Sequence, residues 1–154
     1  MSLPYIRIPF VIRKASMFNW LKKDPSQKSL GQRGEEFARQ EYRRRGYKIV
    51  AANFFNKKGL RLGELDFVAA DRNRVVFVEV KTRNLSAAKF GGGAEAVDRF
   101  KQIKLLKAVK VFLQKNPKYG NLQPQIDVCL VEYSEVDNSF RPAIIIPNAV
   151  EDWN

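Results

Sequence analysis

Two apolar runs of strand length, Leu65 to Ala70 and Val75 to Val80, flank the polar segment Asp71-Arg72-Asn73-Arg74, and no other feature constrains this chain as tightly. Short runs rich in Val, Leu and Phe, broken by a polar quartet, read as two strands and a tight turn, hence a β-hairpin. A turn centred on Arg72-Asn73 fixes the register, and counting outward from it puts Asp66 directly opposite Glu79. Side chains opposed in this way have Cβ atoms roughly 5 Å apart. Lys81, two residues beyond Glu79, shares their face because strand side chains alternate. The rest of the hairpin is apolar on both faces, with Leu65, Phe67, Ala69, Val76, Val78 and Val80 on one and Val68, Ala70, Val75 and Phe77 on the other. That is the pattern of central strands covered on both sides, and it leaves the carboxylates partly desolvated.

Two like charges so close repel, and one pKa rises unless a cation joins them. A hard divalent ion meets that need, since Mg²⁺ favours oxygen ligands and is held by one or two carboxylates with waters and phosphates. Zinc sites draw on His or Cys, and this chain has no histidine and one cysteine. The same counts exclude Ser-His-Asp and Cys-His triads and His-based zinc peptidase motifs. Chemistry here must run on carboxylates, lysine and a metal. The competing interpretation makes Asp66 and Glu79 solvated edge charges, with Lys81 as a cross-strand salt bridge.

Gly63-Glu64-Leu65-Asp66, the block Phe77-Val78-Glu79-Val80-Lys81-Thr82-Arg83 and the upstream Gly31-x-x-Gly34-Glu35 resemble the signature of the YraN-type endonuclease-like family. That family is similar to archaeal Holliday-junction resolvases and the restriction-endonuclease superfamily. The resemblance runs from about Leu30 to about Tyr133, with Leu65 standing where isoleucine is usual. It implies a PD-(D/E)xK nuclease core in which Asp66 and Glu79 bind Mg²⁺ or Mn²⁺. It further implies that Lys81 positions or activates the attacking water and that Glu35 reaches the site from the first helix.

The helix that carries Glu35 is visible as a stripe of Leu30, Gly34, Phe37, Ala38, Glu41 and Tyr42, with Gly46 as its stop. Glu35 is expected in the first turn, where a carboxylate also complements the positive helix end. Glu36, a hundred degrees further round, is the natural control. A strand at about Tyr47 to Asn53 follows, then a lysine-bearing connection from Phe54 to Leu62. Past the hairpin, Asn84 to Gly93 reads as a loop ending in Gly91-Gly92-Gly93, whose spacing fits neither a Walker loop nor a dinucleotide fingerprint. A second helix, about Ala94 to Lys115, has Val97, Phe100, Leu106, Val109 and Leu113 as its expected apolar face. Its lysines, Lys101, Lys104, Lys107, Lys110 and Lys115, suit either a solvated face or phosphate contacts. Gln102 stands where related resolvases carry a polar residue near the metal, and Arg83 shares the strand face of Glu79 and Lys81, placed to hold a phosphate. Two last strands, about Gln125 to Tyr133 and Pro142 to Pro147, flank a turn from Ser134 to Arg141. The order α-β-β-β-α-β-β implies an α/β sandwich with a mixed central β-sheet flanked by helices, restriction-endonuclease-like by resemblance.

Length and charge complete the expectation. The 154 residues fit one domain, with 45% hydrophobic residues enough for a core. Twenty-eight Lys and Arg against sixteen Asp and Glu, net +12, favour a polyanion. Cys129 lies in a strand-like run and is assigned to packing, and a single cysteine suits a reducing, cytoplasmic setting. Residues 1–29 are set apart as a basic and apolar N-terminal extension, loosely ordered, with Met17 an alternative start. Its apolar stretch falls short of the ~20 residues of a membrane span, and Met17 to Lys23 could touch a membrane surface or a partner. The sequence thus points to a Mg²⁺- or Mn²⁺-dependent endonuclease with DNA as partner, branched DNA included, without a small-molecule cofactor or transmembrane segment. Junction cutting would call for a homodimer. The alternatives are a non-catalytic nucleic-acid-binding module with a nuclease fold and a basic protein of membrane surfaces or ribosomes.

Overall fold

The structure, a computed structural model, describes residues 28–54, 65–87 and 99–150. The expected extension up to residue 27, most of the connection after Phe54, Gly63 and Glu64, the triple glycine and Val97 lie outside the described residues.

Helix α1, Leu30–Arg44, starts where Ser29 and Gln32 form a reciprocal capping box, each side chain bonded to the other's backbone N–H. It ends at Gly46, whose φ of +87° costs an L side chain strain. There the Gly46 N–H reaches Arg43 O and the Tyr47 N–H reaches Tyr42 O, both at 3.0 Å, closing a Schellman turn. Because the helix begins at Leu30, Glu35 falls in the second turn, not the first as expected, which removes the helix-end explanation for its charge.

Strand β1, Lys48–Phe54, leads to β2, Leu65–Ala70, and β3, Arg74–Asn84. The hairpin of β2 and β3 is in the expected register, with Phe67 opposite Val78 and Ala70 opposite Val75. Its turn is fixed by Asp71, whose Oδ1 accepts the N–H groups of Asn73 and Arg74 at 2.8 and 2.7 Å, an Asx-type turn. Strand β3 runs four residues past the apolar run that ends at Val80, so that Lys81 and Arg83 lie on it as expected, because along its whole length it pairs in parallel with β4, Gln123–Ser134. After a single 3₁₀ turn at Leu85–Ala87, helix α2 is described over Arg99–Lys115. Two short strands, β5 at Ser139–Phe140 and β6 at Ile144–Ile146, both pair with β4. Strand β5 lies inside the segment expected to be only turn. The sheet order is β1-β2-β3-β4, antiparallel except for the β3–β4 step, with β5 and β6 beside β4.

The helices cover opposite faces of this mixed sheet. Ala38 and Tyr42 of α1 pack on Phe67, Ala69, Val76, Val78, Cys129 and Val131 of the sheet. Cys129 is free and buried there, its thiol pushed up to about 12 by burial, in keeping with a packing role. Under α2 lie Val68, Val75, Phe77 and Ile126 together with Leu105, Ala108, Val109 and Phe112. Leu65, at the start of β2, joins this second cluster, not the first as its parity suggested. The α2 face is partly rotated from expectation: Leu105, Ala108 and Phe112 are buried together with the expected Val109, while Leu106 and Leu113 flank them. Phe112 fixes the phase by packing edge-on against both Phe54 and Phe77, with centroids 5.1 and 5.4 Å away. The one charged group sunk in the centre of β4, Asp127, is fully engaged. It accepts the Tyr42 hydroxyl at 2.8 Å, the Gln125 amide at 2.7 Å and the Asn148 N–H at 3.3 Å.

Candidate active site

Where the β2–β3 ladder runs out, side chains take over from backbone. The last paired residues are Phe67 and Val78, and one step further out the Asp66 carboxylate, not a backbone carbonyl, accepts the Val80 N–H, at 2.6 Å. Burial dominates its ionisation and pushes its pKa up to about 6. The Val80 bond opposes the rise, the Glu79 and Glu35 charges add to it, and Lys101 counteracts.

Glu79 lies on the same face as Val75 and Phe77, the face that α2 covers, and is 7% exposed. A carboxylate this buried needs compensation, and two ammonium groups supply it. Lys81 Nζ stands 3.2 Å from Glu79 Oε1, and Lys101 Nζ donates a hydrogen bond to the same oxygen.

Glu35 arrives from the opposite layer. Gly34 lies against Thr82 of β3 so closely that a Cβ there would sit 2.0 Å from Thr82 Oγ1. That contact lets the second turn of α1 rest on the end of β3 and brings Glu35 within electrostatic reach of Asp66. Glu35 is also 3.7 Å from Arg39 Nη1, a buried nitrogen with no hydrogen-bond partner among the described residues. Glu36 is engaged elsewhere, 2.8 Å from Arg39 and 3.6 Å from Arg43. It lines a cleft of about 270 Å³ with Lys28, Arg33, Phe37, Gln40 and Phe140, and none of the candidate residues borders that cleft.

The structure therefore brings Lys81 and Lys101 onto Glu79, with Asp66 and, from α1, Glu35 within electrostatic reach. Arg83 follows on β3, half-buried and in register with Glu132. Gln102 is half-buried on α2, and Lys104 is exposed on the same helix. Lys101 is not on a solvated lysine face but holds Glu79. Sequence reasoning missed this pairing, and the signal was there: Lys101 precedes Leu105, Ala108 and Phe112 at helical spacing, a charge on the stripe that turns inward.

The donors suit one kind of metal. Among the described residues no group of three or more Asp, Glu, His or Cys side chains is placed to enclose an ion, so a cage of protein ligands is not available. Two opposed carboxylates, all oxygen, fit Mg²⁺ or Mn²⁺ completed by water and phosphate oxygens. Among the described residues no helix is long and apolar enough to cross a membrane.

Comparison with known proteins adds a sequence-level finding. The family model described as "Uncharacterised protein family UPF0102" matches residues 34–131, a span that includes all the candidate residues. A UPF0102 protein of Carboxydothermus hydrogenoformans is 40% identical over 115 residues, 75% of this chain and 90% of that protein. One from Caldanaerobacter subterraneus is 39% identical over 106 residues, covering 69% and 81% respectively. A third, from Ectopseudomonas mendocina, shares 39% identity over 106 residues, 69% of this chain and 84% of that relative.

Proposed function

This chain belongs to the UPF0102 family, and from that membership and the geometry of the hairpin end we propose that it is a Mg²⁺- or Mn²⁺-dependent endonuclease hydrolysing phosphodiester bonds in DNA, branched DNA included. The observation that carries the proposal is the pair Asp66 and Glu79 just beyond the last paired residues of the hairpin, partly and almost wholly buried, with Lys81 3.2 Å from Glu79. Such a pair is expensive to bury without a task.

Asp66 and Glu79 would hold the ion, which when bound supplies Lewis-acid polarisation of the phosphate and a lowered pKa for water. Lys81 orients the attacking water or steadies the negative charge that develops on the phosphate. Its side chain is half exposed beside Glu79, close enough to that carboxylate for either role. Arg83 and Lys104 offer guanidinium and ammonium donors to neighbouring phosphates. Glu35 adds a third carboxylate from α1. The net charge of +12 draws the polyanion in.

One observation favours a second reading, a nucleic-acid-binding module without turnover: Glu79 is already neutralised by two lysines. A single assay separates the two. Purified protein is incubated with linear, flapped and four-way DNA and with RNA, in Mg²⁺, Mn²⁺ or EDTA. Metal-dependent cutting supports the nuclease, and binding to these substrates without cutting in any metal supports the module.

A further inference from the structure

Lys101 is in an unusual place for a nucleic-acid-binding lysine. Its ammonium is bonded to Glu79 and feels the charge of Asp66 as well, so it occupies the Glu79 carboxylate edge that a divalent cation would need. Two ammonium groups and a metal cannot all use one carboxylate edge, since like charges at such distances repel strongly in a partly buried site. Lys81 is tied to Glu79 by its place on the same strand. Lys101 reaches in from another layer on a long side chain that is 37% exposed, so it can turn to solvent without crossing the core.

We propose that Lys101 is the resident counter-ion of Glu79, neutralising the carboxylate in the metal-free protein and displaced from it when a divalent ion binds. The inference rests on reading Asp66 and Glu79 as metal ligands. Its consequence is a site whose metal affinity is held down until the ion brings enough further ligands, such as phosphate oxygens, to compete with the ammonium. Lys101, once turned out, adds a cation beside the scissile phosphate. Lys101 is thus a positioning residue that acts on metal binding through Glu79.

Mn²⁺ binding measured by titration calorimetry, without nucleic acid, tests this in the wild type, K101M, K101R and E79Q. K101M is expected to bind Mn²⁺ roughly tenfold or more tightly than the wild type, because a competing charge is gone. K101R, which keeps the charge, is expected to stay near wild type, and E79Q to lose binding. K101Q, which removes the charge but keeps a donor for Glu79, replaces K101M if the latter fails to fold. Unchanged or weaker Mn²⁺ binding by the folded neutral variant, alongside wild-type binding that E79Q abolishes, overturns the counter-ion role and leaves the metal site standing. Absence of Mn²⁺ binding in the wild type and the neutral variant alike overturns the metal site, and this inference with it.

Discussion

At the scale of single residues the account turns on how burial treats charge. The Asp66 carboxyl is pushed up to about 6 by burial, from 3.8. A raised carboxyl binds its proton more tightly folded than unfolded, so the stability this group contributes is complete at low pH and is lost as pH rises from about 4 through about 6. Thermal denaturation across that window is expected to show Asp66→Asn gaining on the wild type by on the order of 2–3 kcal/mol above it and matching the wild type below it. Metal competes with the same proton, so Mn²⁺ affinity should fall as pH drops below about 6. The neighbouring pair Glu35 and Glu36 provides a second, internal comparison. Glu35→Gln is expected to cut the nuclease rate by tenfold or more, in the range of lost electrostatic contributions. Glu36→Gln should leave the rate unchanged and cost on the order of 1 kcal/mol, because the Glu36 side chain is itself partly exposed and Arg39 keeps Glu35 as a partner. Equal rates for the two variants would make Glu35 a structural charge.

At the scale of elements, the fit of α1 on β3 is set by one missing side chain. Gly34→Ala puts a carbon 2.0 Å from Thr82 Oγ1 and 2.7 Å from Cγ2, and overpacking of this kind costs about 1–3 kcal/mol. The expected signature is a lowered melting temperature, partly recovered in Gly34→Ala/Thr82→Ala, which removes Oγ1 and Cγ2 but leaves the residue 82 Cβ 2.9 Å from the new carbon. Additive losses would contradict the close approach. The elements also show what the sequence carries and what it hides. The register of β2 and β3 was legible because an Asp at the turn and alternating apolar residues fix it locally. The parallel pairing that supports β3 beyond its apolar run was not, because its partner β4 lies far away in sequence. The inward face of α2 was misphased because Val109 completes a helical stripe with Leu106 and Leu113 as well as with Leu105, Ala108 and Phe112, and only the distant Phe54 and Phe77 choose between them. That misphasing is also what hid Lys101 as the partner of Glu79. Asp66, Glu79 and Lys81 were readable together because one hairpin carries all three, whereas the approach of Glu35 depends on packing between layers.

At the scale of the whole molecule, a three-layer sandwich holds its candidate site at the end of a hairpin and carries a net charge of +12. Exposed Lys104, Lys107 and Lys110 line α2 beyond Lys101. DNA affinity should therefore fall steeply with salt, by on the order of a hundredfold for a fourfold rise if about four or five phosphates are engaged. Lys104→Ala should weaken binding to all sequences alike and lower the salt slope by about one. A flat salt dependence would remove the basic surface from the binding account. The central claim, that the opposed carboxylates drive metal-dependent hydrolysis, is tested most directly by single-turnover cleavage of a DNA substrate by the wild type and Glu79→Gln in saturating Mn²⁺. The expected result is cutting by the wild type, abolished by EDTA, and a loss of roughly a hundredfold or more in the variant. Cutting by Glu79→Gln at the wild-type rate would contradict it.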